Sequence, residues 1–279
     1  MRNDRLSRIF RTARRRRVKP VFGRGIPGYT LVELLIGAVL FLIILTAIYI
    51  VFESNRRTFA MGERKVEAQQ SARVAMEALQ TDLRLIGYGY PTDPTLPTPV
   101  LLKITAATVN SISFWADLNN RSTTLSADAA AAATILPVAS ASGVSAGETI
   151  WLINGGQFES CTVQSVAGNT ITVTAAISRA YPQATLVGRP RAVSYSWNAG
   201  TMTLSKDDGE GGLAQPLVTG VQTFTLRYFD TTDAEITTGL AGKLKDIRRI
   251  MISMIVQSTL GANTQTFDLI SDARPRNLF

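Results

Sequence analysis

The chain has 279 residues, 46% of them hydrophobic, with one cysteine and no histidine. That length suits one or two modest domains. The missing histidine excludes Ser-His and Cys-His catalytic pairs, His-ligated zinc and haem, and the usual general base near neutral pH. The formal charge of +8 points first to nucleic acid or another acidic partner. Of the 29 basic and 21 acidic residues, however, ten and one lie within 1–28, which leaves 19 and 20 in the rest of the chain. The basicity belongs to the leader alone, and the body carries no strong nucleic-acid signal.

After the leader comes "GIPGYTLVELLIG" (25–37) and then "LLIGAVLFLIILTAIYIVF" (34–52), nineteen residues without a charge. At 1.5 Å per residue this run is about 28 Å long, close to the hydrocarbon thickness of a bilayer. Backbone groups in lipid must be satisfied within the segment, so the run predicts a transmembrane helix over about 34–52. Basic residues precede it and few charges follow closely, which places the N-terminus in the cytoplasm and the body outside. A secretory signal peptide fits poorly, because the apolar run is too long and no small-residue cleavage pattern follows it. Gly28 instead precedes the run, and cleavage there would keep the apolar helix. The lone carboxylate Glu33 opens that helix; one buried in lipid costs about 2.5–3.5 kcal/mol at mid-membrane, less near the interface, and calls for a partner.

These residues resemble the type IV prepilin signal, also called the class III signal. Gly28 matches the last leader residue, Tyr29 the first mature residue (usually Phe in that family) and Glu33 the fifth. The resemblance implies that a prepilin peptidase removes residues 1–28 and methylates the new amino terminus at Tyr29. It also implies that Glu33 pairs with the terminal amine of an adjacent subunit during assembly.

Past Phe52 the sequence turns amphipathic. Phe59 and Val66 stand seven apart, and Met76, Leu79, Leu83 and Ile86 follow a 3-4-3 spacing, which reads as one apolar stripe packed on a core. No proline interrupts 28–90, and "GYGYP" (87–91) supplies the glycine and proline that end a helix. The prediction is a long N-terminal helix over 29–87.

The period then changes to two. Ile112 and Phe114, then Val193, Tyr195 and Trp197, then Met202 and Leu204 read as inward positions of antiparallel strands. So do Phe224, Leu226 and Tyr228, then Ile250, Ile252, Met254 and Val256, and finally Phe267 and Leu269. The predicted fold class is α+β, a long helix packed on an antiparallel β-sheet head over 88–279. Short strands between Gly and Ser turns over 133–188 read as an inserted small β-barrel-like module. "SADAAAAAT" (126–134) before it fits either a linker or a helical turn. The order of head segments, together with "SARVAMEALQTDLRLIGYG" and the ending "DARPRNLF", is similar to PilW-type minor pilins. That likeness implies a pilin-like ladle arrangement and a minor pilin of a type IV pilus, in a tip or initiation complex. The roles that go with it are pilus assembly, twitching motility, cell adhesion and DNA uptake. A minor pseudopilin of a type II secretion system shares the same N-terminal physics, and a tip-displayed DNA-uptake or adhesion subunit is a further alternative. The implied partners are the prepilin peptidase, other minor pilins and the major pilin, the inner-membrane assembly platform, and membrane lipid before assembly. The implied location is the bacterial inner membrane and then the pilus surface.

Other motifs read more plainly. "DDGEGG" (207–212) offers Asp207, Asp208 and Glu210 to a calcium ion, but its spacing is not that of an EF-hand and a solvated turn is the expected reading. Lys243, Lys245, Arg248 and Arg249 at the start of a strand read as charges protecting a sheet edge. Cys161 reads as a buried, inert thiol. No P-loop, dinucleotide fingerprint or nucleophile elbow occurs, so no enzyme activity, metal or cofactor is implied.

Overall fold

The structure, a computed structural model, describes residues 28–91, 102–260 and 263–278. Apart from Gly28, the leader therefore lies outside the described residues. The chain divides into two units, one ending at Arg57 and one beginning at Thr58.

Helix α1 runs over Leu31–Arg84. In the first unit every residue from 31 to 52 is exposed, including Leu35, Phe41, Leu45 and Phe52. The segment is long and apolar enough to cross a membrane. The Thr46 hydroxyl within it donates to the Leu42 carbonyl at 2.7 Å, and Glu53 and Arg57 pair at 3.0 Å where charge returns. In the second unit, Ala72, Ala75, Met76, Leu79 and Leu83 are buried at helical spacing. Phe59 and Val66 do not continue that stripe: both are exposed, 75% and 50%. The packed face begins near Ala68; at 100° per residue Phe59 and Val66 lie about 80–100° round the helix from Met76, off the buried face.

The helix closes with tightened bonds, Leu85 to the Asp82 carbonyl and Ile86 to that of Leu83. Gly87 follows at φ +80°, where a Cβ would lie 2.5 Å from Lys103 Cδ and 2.8 Å from the Asn277 carbonyl. Only glycine fits that left-handed, crowded position.

Among the described residues the second unit has fourteen strands: β1 (Ile104–Ala107), β2 (Ser111–Ala116), β3 (Thr123–Thr124), β4 (Ile135–Pro137), β5 (Thr149–Asn154), β6 (Gln157–Ala167), β7 (Thr170–Val173), β8 (Leu186–Gly188), β9 (Arg191–Asn198), β10 (Thr203–Asp207), β11 (Gln215–Thr219), β12 (Val221–Phe229), β13 (Arg249–Leu260) and β14 (Asn263–Ala273). They form three antiparallel sheets in the orders β1-β2-β9-β10-β11, β12-β13-β14 and β3-β8-β5-β6-β7-β4. The α+β expectation, a long N-terminal helix followed by antiparallel sheets, holds.

The first two sheets and α1 share one core. Alternation builds it. Ile112 lies opposite Tyr195 and Phe114 opposite Val193, while Phe224, Leu226 and Tyr228 lie opposite Met254, Ile252 and Ile250. All of these side chains are buried, and each apolar one contributes about 1.5–3 kcal/mol. Met202 departs from its expected inward position. It sits in the β9–β10 turn at φ +49° and is 37% exposed, so the turn's geometry overrides the alternation.

The six-stranded sheet has a separate core that includes Leu136, Ile150, Leu152, Val163, Ile171 and Val187. Its ends meet: Leu125 bridges Val138, and Ala139 donates to the Thr124 carbonyl at 2.8 Å. A closed ring leaves no open edge. The sheet draws in residues from Thr123, ahead of position 133, because β3 pairs with β8. "SADAAAAAT" is neither linker nor helix, since Ala129 bridges Tyr181 and is buried.

Candidate assembly and processing site

The three residues singled out from the sequence, Gly28, Tyr29 and Glu33, lie together at the start of α1, all exposed. A Cβ at Gly28 would meet nothing within 4 Å among the described residues. The fold therefore does not require glycine at 28.

Thr30, part of the segment that follows Gly28, organises this end as a helix cap. Its hydroxyl accepts from the Glu33 amide at 3.2 Å. The Glu33 carboxylate in return accepts from the Thr30 amide at 3.3 Å and the Thr30 hydroxyl at 3.4 Å. This is a capping box, and the Thr-x-x-Glu spacing ahead of an apolar run was its signal. It satisfies donors that a helix N-terminus leaves open, and the macrodipole adds to the stability of a carboxylate there. Both bonds to the carboxylate are long, and an ionised carboxylate has about four acceptor sites. Glu33 thus keeps capacity for a stronger cationic partner.

The head holds three polar clusters that tie elements together. Asp82 on α1 accepts from Lys206 Nζ at 2.6 Å and from the Tyr195 hydroxyl, which joins the helix to β9 and β10. Burial, then the Asp82 charge, pushes the Tyr195 phenol above its ordinary range. Tyr228, also raised by burial, donates to the Thr108 carbonyl at 2.8 Å. The most enclosed cluster is Arg189 with Glu148, whose side chains are 1% and 3% exposed. Arg189 Nε and Nη2 reach the two carboxylate oxygens at 2.9 and 3.0 Å. The remaining donors reach the carbonyls of Arg121, Ser142 and Gly143. The ion pair fixes the six-stranded ring where β8 leads into β9. There Gly188 lies so close to Gly89 that a Cβ would sit 2.1 Å from its carbonyl oxygen.

The other sequence candidates are occupied structurally. Asp207 and Asp208 cap their own turn, accepting from the Gly209 and Glu210 amides at 2.9 and 3.0 Å, and Glu210 pairs with Arg121. No group of three Asp, Glu, Cys or His among the described residues is placed to hold a metal. The basic run 243–249 does not protect an edge, because Arg249 opens β13, the central strand of its sheet. Arg249 instead lies 3.8 Å over the Phe229 ring and pairs with Asp233 at 2.9 Å. Arg248 donates to the Lys245 and Ile247 carbonyls at 2.7 and 2.8 Å. Cys161 is buried, and burial together with the Glu159 charge pushes its thiol up to about 11.

No protein-family model matches the sequence, and no curated protein does. Among solved structures, a type IV-like pilin from Thermus thermophilus is similar at 10% identity with a TM-score of 0.35. That alignment covers 76% of this chain and 98% of the other.

Proposed function

We propose that this chain is a minor pilin of the PilW type, a structural subunit of a type IV pilus rather than an enzyme. It is made as a membrane precursor whose leader, residues 1–28, stays in the cytoplasm until prepilin peptidase cuts after Gly28 and methylates Tyr29. The observation that carries this reading is the first unit of α1. An apolar rod with no buried residue from 31 to 52 needs lipid or other helices around it. Its entrance holds a carboxylate whose capping bonds are long and a glycine with no neighbour that a Cβ would meet. An ordinary anchor explains the rod and the cap and gives the charge of Glu33 and the glycine at 28 no role.

Assembly then follows from electrostatics. Cleavage turns the Tyr29 nitrogen into a cationic amine. As the helix slides from lipid into a filament core, that amine meets Glu33 of a neighbouring subunit, where an ion pair is worth several-fold more than in water. The weak capping bonds of Glu33 give way to it. The pair fixes the axial register of the incoming subunit. The other minor pilins, the major pilin and the inner-membrane platform are the partners of this step.

One test reads the processing: mass spectrometry of the mature protein should find methylated Tyr29 as the first residue. An intact leader, or a cut after the apolar run, refutes the reading. A second test separates the two roles of Glu33. Gln preserves a capping box but carries no charge, so Glu33→Gln should insert normally and fail to enter filaments, as Glu33→Leu should. Filament entry by Glu33→Gln at the wild-type level would reduce Glu33 to a helix cap.

One feature favours a displayed role at the tip as well. The ring of β3–β8 interrupts the connection between β2 and β9, which are paired neighbours in their sheet, so it is added without breaking that sheet. A chain lacking the ring should still join filaments while losing attachment or DNA uptake; retention of both would exclude display.

A further inference from the structure

We infer that the outer edge of β14 is a strand-addition site for an extended, basic segment of a different protein chain. Edge strands expose unpaired backbone groups, and folded proteins blunt them with shortness, bulges, prolines or covering elements. The other edges here show such devices. Strand β1 has four residues and a register shift between Ile104 and Ala106. Strand β11 has five, includes Pro216, and faces a shift at Leu204/Ser205. The outer side of β12 is met by the Val109 carbonyl, 2.7 Å from the Leu226 amide, and by the Ile236 amide, 2.8 Å from the Tyr228 carbonyl. The six-stranded ring closes on itself. Strand β14 differs: it has eleven residues, no proline, and pairs with β13 through eleven consecutive positions without a shift.

Two bonds fix which groups point outward. The Gln257 amide bonds Gly220 on the β12 side at 2.8 Å, and the Asp272 carbonyl accepts from Gln80 Nε2 at 2.8 Å. By antiparallel alternation, Gln265, Phe267, Leu269 and Ser271 bond β13, while Thr264, Thr266, Asp268 and Ile270 turn their N–H and C=O groups to the open edge. No described residue pairs with those four on that side. The edge from Thr264 to Asp272 spans about 30 Å.

Side chains define the partner. Phe267 and Leu269 are only half-buried against the main core, so an added strand with alternate apolar residues would complete their cover. On the other face Asp268 and Asp272 flank Ile270, which is 70% exposed. Opposite-charge cross-strand pairs are favourable and like-charge pairs are not, so the added strand carries Lys or Arg across from the two aspartates. A second copy lacks the complementary charge: β14 holds no Lys or Arg to face the two aspartates, and the two-fold pairings centred on Ile270 and on Asp268 set Asp268 against Asp272 and against itself. Main-chain bonds would supply affinity and the alternating side chains specificity.

The probe is a nine-residue peptide alternating Val with Lys or Thr, its lysines spaced to face Asp268 and Asp272. It is mixed with the full chain in detergent micelles and followed by amide hydrogen exchange and fluorescence anisotropy. The peptide should slow exchange at Thr264, Thr266, Asp268 and Ile270 at least tenfold, and a version N-methylated at alternate amides should not. Asp268→Pro should weaken binding at least tenfold yet leave the β13 ladder protected, because the Asp268 amide lies outside that ladder. Should that variant lose the ladder, Ile270→Lys provides the readout: it keeps the backbone and opposes a basic strand, so binding should again fall. No slowing, or equal slowing by the N-methylated peptide, overturns the inference. So does slowing without peptide that grows with protein concentration, which would make a second copy the occupant. None of these readouts depends on filament assembly.

Discussion

Replacing Arg189 with methionine tests what holds the six-stranded ring to the main sheet. The side chain is 1% exposed and spends its donors on both oxygens of Glu148 and on three carbonyls. Methionine fills most of that volume and donates nothing. Glu148 would keep the Ser145 amide at 3.2 Å and Arg191 at 3.1 Å, but the Arg191 side chain is itself 30% exposed. A buried carboxylate would thus lose its main countercharge, and the carbonyls of Arg121, Ser142 and Gly143 would lose a donor. Breaking one partner of a buried pair costs about 3–5 kcal/mol. For a unit of this size that corresponds to a fall in Tm of about 6–20 °C. The assay is urea unfolding of the full chain in detergent micelles, followed by tryptophan fluorescence, since Trp151 lies in β5 of the ring. The decisive comparison is the double variant Arg189→Met with Glu148→Leu, which removes the stranded charge and should recover most of the loss. A single variant costing under about 1 kcal/mol, or a double variant no better than the single, would refute this account of the ion pair.

Two further outcomes follow from groups whose protonation the fold perturbs. Burial, with Arg248 adding to it, lowers the Lys103 ammonium to about 8 from 10.5. Between those values the unfolded chain holds the proton and the folded chain does not, so stability should rise by about 1–2 kcal/mol from pH 8 to 10. Above pH 10 the trend should reverse, because Tyr195 and Tyr228 keep their protons when folded and release them when unfolded. Urea titrations at pH 7.5, 9 and 10 check the window, and Lys103→Met should abolish the rise. For Cys161, a thiol raised to about 11 and buried has little thiolate at pH 8. Iodoacetamide labelling followed by mass spectrometry should be at least tenfold slower in the folded chain than in denaturant.

Sequence patterning alone identified the exposed apolar helix, its carboxylate at position 33 and most inward strand positions, because each depends on residues a few positions apart. Helical period 3.6 and strand period 2 are local properties, so Leu79 and Leu83, or Ile250 and Ile252, declare their faces without reference to the rest of the chain. The capping box of Thr30 with Glu33 is equally local, a Thr-x-x-Glu spacing ahead of an apolar run. Phe59 and Val66 failed for a local reason: at 100° per residue they lie about 80–100° round the helix from Met76 and farther from Leu79 and Leu83, so they miss the buried stripe. Elsewhere a distant neighbour was the cause. The basic run at 243–249 looks like edge protection until β12 and β14 flank β13 on both sides. The ion pair of Glu148 with Arg189, 41 residues apart, and the contact of Asp82 with Tyr195, 113 apart, leave no periodic trace. Which buried polar groups find each other, and which sheet edge stays open, is settled only when segments far apart in the chain compete for the same neighbours.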